Sequence, residues 1–127
     1  MSHLSIYKTG IGAVSASLVI NAIRSLAKHI NAEVVSEVSD VMNREQTVTI
    51  GLKTSELPNG IGFLVEGQKL NIIGDSWGVE QQFNELKTLA ENYVKAYKCA
   101  VQARNVVPTA QVKTEVKGRN VVLEVCL

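Results

Sequence analysis

Imidazole, thiol and aromatic groups are all scarce in this chain, and each scarcity removes a class of chemistry. Two histidines, His3 and His29, and two cysteines, Cys99 and Cys126, are all that 127 residues contain. The cysteines lie far apart with no Cys-x-x-Cys and no neighbouring His, so neither a disulfide framework nor a zinc site is indicated and cytosolic thiols are expected. Aromatics make up 5% of residues, and none interleaves with the basic residues, as single-strand nucleic-acid binders require for stacking. Charge of one sign is lacking too. With 13 Lys+Arg against 12 Asp+Glu, the net charge of +1 is too small a field for non-specific nucleic-acid binding, so a nucleic-acid partner is not expected. No apolar run approaches the roughly 20 residues that cross a bilayer, and the opening Met1-Ser2-His3 lacks the charged-then-apolar order of a signal peptide. A cytoplasmic protein without membrane contact is expected.

What is present is enough for one domain. Hydrophobic residues make up 46% of the chain, and a chain of this size folds around one core without staples. Leu4 to Thr9 alternates like a strand and is broken by Gly10-Ile11-Gly12. Val19, Ile23, Leu26 and Ile30 then recur at helical spacing between Ala13 and Ile30, with Lys28 and His29 where a helix C-terminus attracts cations. Ala32 to Asp75 reads as four short strands. In Thr47 to Lys53, Val48, Ile50 and Leu52 are expected on one face. Ile61, Phe63 and Val65 share a face and Glu66-Gly67 turns them into Lys69 to Ile73, a hairpin. Asp75-Ser76 offers N-cap oxygens to a second helix whose apolar stripe is Val79, Phe83, Leu86, Ala90, Tyr93, Tyr97 and Val101. After Pro108, two alternating segments joined by Lys117-Gly118-Arg119-Asn120 close the chain as a second hairpin. The order β-α-β-β-β-β-α-β-β predicts an α+β fold, a mainly antiparallel sheet with two helices on one face.

Motifs that carry chemistry are few. Gly10-Ile11-Gly12-Ala13-Val14-Ser15 follows a strand and opens a helix, with Glu33 and Glu37 about 20 residues on, like a partial dinucleotide fingerprint. Ser15 replaces its third glycine and no crossover helices follow, so a parallel sheet cannot be built; the N–H groups at this helix start remain able to accept a phosphate. His29 is explained by the helix dipole. His3, beside Ser2 and Ser5, reads either as a strand-end histidine bonded to backbone or as the base of a small hydrolase. Residues 1–86 hold 6 basic and 9 acidic side chains and residues 87–127 hold 7 and 3. Lys95, Lys98, Arg104, Lys113, Lys117 and Arg119 form a candidate basic face. Trp77 reads either as a staple of the second helix to the core or as a partner anchor.

The opening Met1-Ser2-His3-Leu4-Ser5-x-x-Lys8-Thr9-x-Ile11 resembles the start of a family of small proteins of red-algal plastids, cyanobacteria, other bacteria and phages (domain of unknown function family 1257). Ile61-Gly62-Phe63, Gly67-Gln68-x-Leu70, Asp75, Trp77, Phe83 and Tyr93 follow in that family's order. The family usually has Phe where this chain has Leu4, and its glycine- and tyrosine-containing segment is not evident in Ser39 to Gln46. The resemblance implies a bacterial, plastid or phage origin. Through gene neighbours that include ring-forming ATPases it also implies an accessory role, with such an ATPase as partner.

These readings converge on a non-catalytic binding or adaptor protein, homo-oligomeric through strand edges and the terminal hairpin, with no cofactor and no metal. The alternatives are a phage-type protein sequestering a small phosphorylated or nucleotide-like signal, and a small hydrolase using His3. The candidate ligand-binding residues are His3, Ser5, Lys8, Gly12, Trp77, Lys117 and Arg119.

Overall fold

The computed structural model describes residues 3–118 and 120–126. Its elements run β1 (Ser5–Lys8), α1 (Ala16–Ile30), β2 (Glu33–Ser39), β3 (Glu45–Lys53), β4 (Ile61–Glu66), β5 (Lys69–Gly74), α2 (Glu80–Val106), β6 (Gln111–Lys117) and β7 (Asn120–Cys126), the expected order. Five strands form one antiparallel sheet in the order β1-β5-β4-β3-β2, and β6 and β7 form a separate two-stranded sheet. The class is α+β.

Both helices cover one face of the large sheet. Val19, Ile23 and Leu26 of α1 and Phe83, Tyr93 and Val94 of α2 share a core with Ile50, Leu52, Ile61, Phe63 and Ile72. Removing each such side chain from water contributes about 1.5–3 kcal/mol. The α1 stripe works because Ser15 caps it, its Oγ accepting from Leu18 N–H, and Asn31 in the left-handed region ends it. Behind the sheet, Val38, Val48 and Ile73 form a second, smaller cluster with Leu4 and Leu64 against it.

Val48 therefore does not share a face with Ile50 and Leu52. The β2–β3 register shifts between Val35 and Glu37, and this irregularity breaks the period-two alternation, sending Val48 to the cluster opposite Ile50. The β4–β5 turn also moves by one residue. Glu66 pairs with Lys69, leaving Gly67 and Gln68 at φ 55° and 63°, the two positive angles of a twist-matched hairpin turn.

The start of α2 differs from expectation as well. Asp75 is drawn inward, and Ser76 to Val79 make a turn of their own, with Val79 N–H on the Ser76 carbonyl. The helix begins at Glu80, with Val79 as a cap that supplies no side-chain bond. At 27 residues it is about 40 Å long, and it carries β6–β7 against it.

Candidate functional site

Two carboxylates, Asp40 and Asp75, are the buried charged groups among the described residues. A buried carboxylate is tolerable only where donors surround it, and both find theirs in loop backbone. Asp40 accepts from the N–H groups of Met42 (2.9 Å) and Arg44 (3.0 Å) and from Arg44 Nε (2.7 Å), closing the β2–β3 turn on itself. Burial works against its charge, but the bonds from Arg44 and Met42 and the Arg44 guanidinium outweigh it and hold the Asp40 carboxyl below its ordinary pKa. Asp75 accepts from Trp77 N–H at 3.0 Å and from Val41 N–H at 3.2 Å, tying the β5–α2 connection to the β2–β3 turn.

These bonds fix a corner whose side chains face outward. Trp77 is 60% exposed, Met42 70% and Val41 38%. A cleft of about 180 Å³ opens between Val41 and Trp77, lined also by Leu57, Pro58, Asn59 and Asp75. Trp77 is thus not a staple holding α2 to the core. Asp75 signalled the site in the sequence only as a cap; that it reaches Val41, 34 positions away, depends on the sheet order.

The other candidate residues are distributed around the fold. Ser5 pairs with Gly74, so His3 and Ser5 approach the sheet from the end that carries Asp75 and Trp77. His3 is exposed, while Ser5 is half-buried. Lys8 pairs with Asn71 toward the opposite end and is exposed. Gly12 sits in a segment sewn to the β4–β5 hairpin by Leu70 N–H on the Ile11 carbonyl and Val14 N–H on the Gln68 carbonyl. Lys98 reaches this segment from α2 and donates to the Gly12 carbonyl at 2.8 Å. Lys117 is exposed at the tip of β6–β7, where the adjoining Gly118 lines a groove of about 470 Å³ with Ile30, Leu57, Leu86 and Leu89. That groove lies at the C-terminal end of α1 and Gly12 lies before its N-terminus, a helix length of about 22 Å apart. Lys117 and Gly12 do not form one site. Arg119 lies outside the described residues.

A second charged feature sits at the β2 edge. On the exposed side of the strand, the hydrogen bond and like charge of Glu45, with slight desolvation, raise the Glu37 pKa against the opposing pull of Lys53. Among the described residues no group of three or more His, Cys, Asp or Glu side chains is placed to hold a metal ion. No described helix is long and apolar enough to cross a membrane. No family model, curated protein or solved structure matches the chain.

Proposed function

We propose that the protein is a non-catalytic binding or adaptor protein that assembles with copies of itself and presents the Trp77 corner to a protein partner. The observation that supports this is the use of the buried carboxylates. Asp40 and Asp75 give their oxygens to the backbone of loops whose large apolar side chains, Val41, Met42 and Trp77, stand in solvent. An exposed tryptophan beside a small cleft, with a flexible methionine exposed on the same turn as Val41, is the composition of an interface anchor. A ring-forming ATPase, suggested by the family resemblance, is the first partner to try.

The test is a native mass spectrum of the protein purified with its partner, alongside Trp77→Ala and Met42→Ser. A tryptophan anchor is worth about 2 kcal/mol or more, so Trp77→Ala should weaken the complex about thirty-fold while leaving the circular dichroism spectrum unchanged. A folded Trp77→Ala, Met42→Ser double variant that keeps the partner at full stoichiometry would overturn the reading.

One observation favours the small phosphorylated ligand as a second reading. Lys98 stands beside Gly12 just ahead of the α1 N-terminus, where Ser15 and Ser17 are exposed. Such a ligand would sit at Gly12, Ser15, Ser17 and Lys98, away from Lys117. Titration with inorganic phosphate and with a nucleoside monophosphate, followed by amide chemical shifts at Ser15 to Leu18, tests it; unmoved shifts at millimolar ligand reject it.

A further inference from the structure

The inference here deepens the self-assembly part of the reading above and names the surface involved. Among the described residues β6 has β7 as its one strand neighbour, and α2 packs more closely on β7 than on β6, so the far edge of β6 carries no strand. A two-stranded ribbon is marginally stable alone, and its unpaired edge is a template for another strand. The question is which strand it fits.

The charge order of β6 answers this. Its sequence is Gln111-Val112-Lys113-Thr114-Glu115-Val116-Lys117, with the odd positions exposed and the even ones half-buried against α2. In an antiparallel pair, residues directly opposite lie on the same face. Laid against a second copy of itself with Thr114 opposite Thr114, β6 puts Lys113 opposite Glu115 twice and Val112 opposite Val116 twice. Moving two residues either way, the smallest shift that keeps the faces matched, sets Lys113 against Lys113 or Glu115 against Glu115. One register attracts and its neighbours repel. β7 has no such property, since Glu124 is its one charge and finds no cation in any self-pairing.

The backbone agrees with that register. The β6–β7 pairing ends at Lys117↔Asn120 across two connecting residues, which makes this the closing hydrogen-bonded pair. Alternation then turns the N–H and C=O groups of Lys113 and Glu115 toward β7 and those of Val112, Thr114 and Val116 toward the open edge. Centred on Thr114, the two copies would exchange six backbone hydrogen bonds. Lys113 and Glu115 would face each other at the closely spaced, non-hydrogen-bonded positions where side chains interact most strongly. Glu115 already has Lys117 Nζ at 3.7 Å, but both side chains are largely exposed, and such a pair is worth little. Lys113 also faces Glu124 across the hairpin, so the joined sheet would carry Glu124, Lys113 and the partner's Glu115 in alternating sign.

We infer that the protein forms a two-fold dimer by antiparallel pairing of β6 with β6 of a second copy, centred on Thr114, to give a continuous four-stranded sheet over two α2 helices. Sedimentation equilibrium from about 1 μM to about 1 mM tests this, a range suited to a small interface. The wild type should be a monomer–dimer system, and the outward amides of Val112, Thr114 and Val116 should gain hydrogen-exchange protection with concentration while those of Lys113 and Glu115 change little. Lys113→Glu alone, or Glu115→Lys alone, turns two attractions into repulsions and should raise the dimer dissociation constant roughly ten-fold or more. The double exchange Lys113→Glu, Glu115→Lys restores complementarity in the same register and should restore the dimer. A wild type monomeric throughout, a trimer or higher assembly, or single reversals without effect would overturn the inference. Because these variants leave Val41, Met42 and Trp77 untouched, partner binding by a monomeric Lys113→Glu protein is read separately: retention leaves the anchor standing without the dimer, and loss would tie the partner to the assembly.

Discussion

Replacing Asp75 by Ala removes an acceptor from two backbone donors at once, Val41 N–H and Trp77 N–H, in a place that is 5% exposed. A buried donor left without an acceptor costs about 1–3 kcal/mol. Asp75→Ala is therefore expected to lower the unfolding free energy by about 2 kcal/mol in urea titrations, with Asp75→Asn, which keeps an acceptor, costing less. A change below about 0.5 kcal/mol would mean the two loops hold themselves. Glu37 behaves in the opposite sense. Its pKa is raised in the folded protein, chiefly by the hydrogen bond and charge of Glu45. The stability it contributes is thus present below the ordinary carboxylate pKa and lost as pH rises through the folded value. Asp40, whose pKa is lowered, contributes stability above its ordinary value that is lost as pH falls through the folded one. Glu45→Gln should consequently raise the thermal midpoint at neutral pH, and the gain should shrink as the solution is acidified through the carboxylate range. An equal gain at pH 3 and pH 7 would show that repulsion is not its source.

At the scale of elements, the β5–α2 junction is held by a close approach that admits no side chain. A Cβ on Gly74 would overlap the Phe83 ring, which is fully buried and packs tilted against Tyr7 with ring centroids 5.5 Å apart. Gly74→Ala must push Phe83 off that seat. Overpacking of this kind typically costs about 1–3 kcal/mol, and the loss should appear in denaturant midpoints together with altered Tyr7 and Phe83 ring shifts. The element order was legible in the sequence because each element carried its own period and its own breaker: Gly10-Ile11-Gly12 breaks the first strand ahead of the α1 stripe, and Gly67 turns the β4–β5 hairpin. What was not legible depended on distant partners. Val48 changes face because of a register shift between β2 and β3, and α2 starts late because Asp75 bonds to Val41. The candidate site was legible in part for the same reason. Trp77 stood out by type, whereas Val41, in a segment without periodicity, came to line the same cleft only when the β2–β3 turn and the β5–α2 connection met.

For the whole molecule, α2 sets the distance between the two surfaces proposed to act. Trp77 lies just before its N-terminus, and β6 begins just after its C-terminus and runs back along it, so the hairpin tip at Gly118 reaches Gln82 and Leu86 near the helix start while Lys113 stays near the root of the hairpin at the other end of about 40 Å of helix. The Trp77 corner is held by Asp40 and Asp75 at the end of the large sheet, and the β6 edge is held by β7 and α2. Changes at independent sites, here Trp77 at one end of α2 and Lys113 toward the other, add within about 0.5 kcal/mol. Trp77→Ala and Lys113→Glu should therefore combine without coupling. The double variant is expected to lose partner affinity as Trp77→Ala does and dimer affinity as Lys113→Glu does, neither deepened by the other. A coupling above about 1 kcal/mol in either affinity, measured by a double-mutant cycle, would show instead that dimerisation moves α2 and that self-assembly controls access to the anchor.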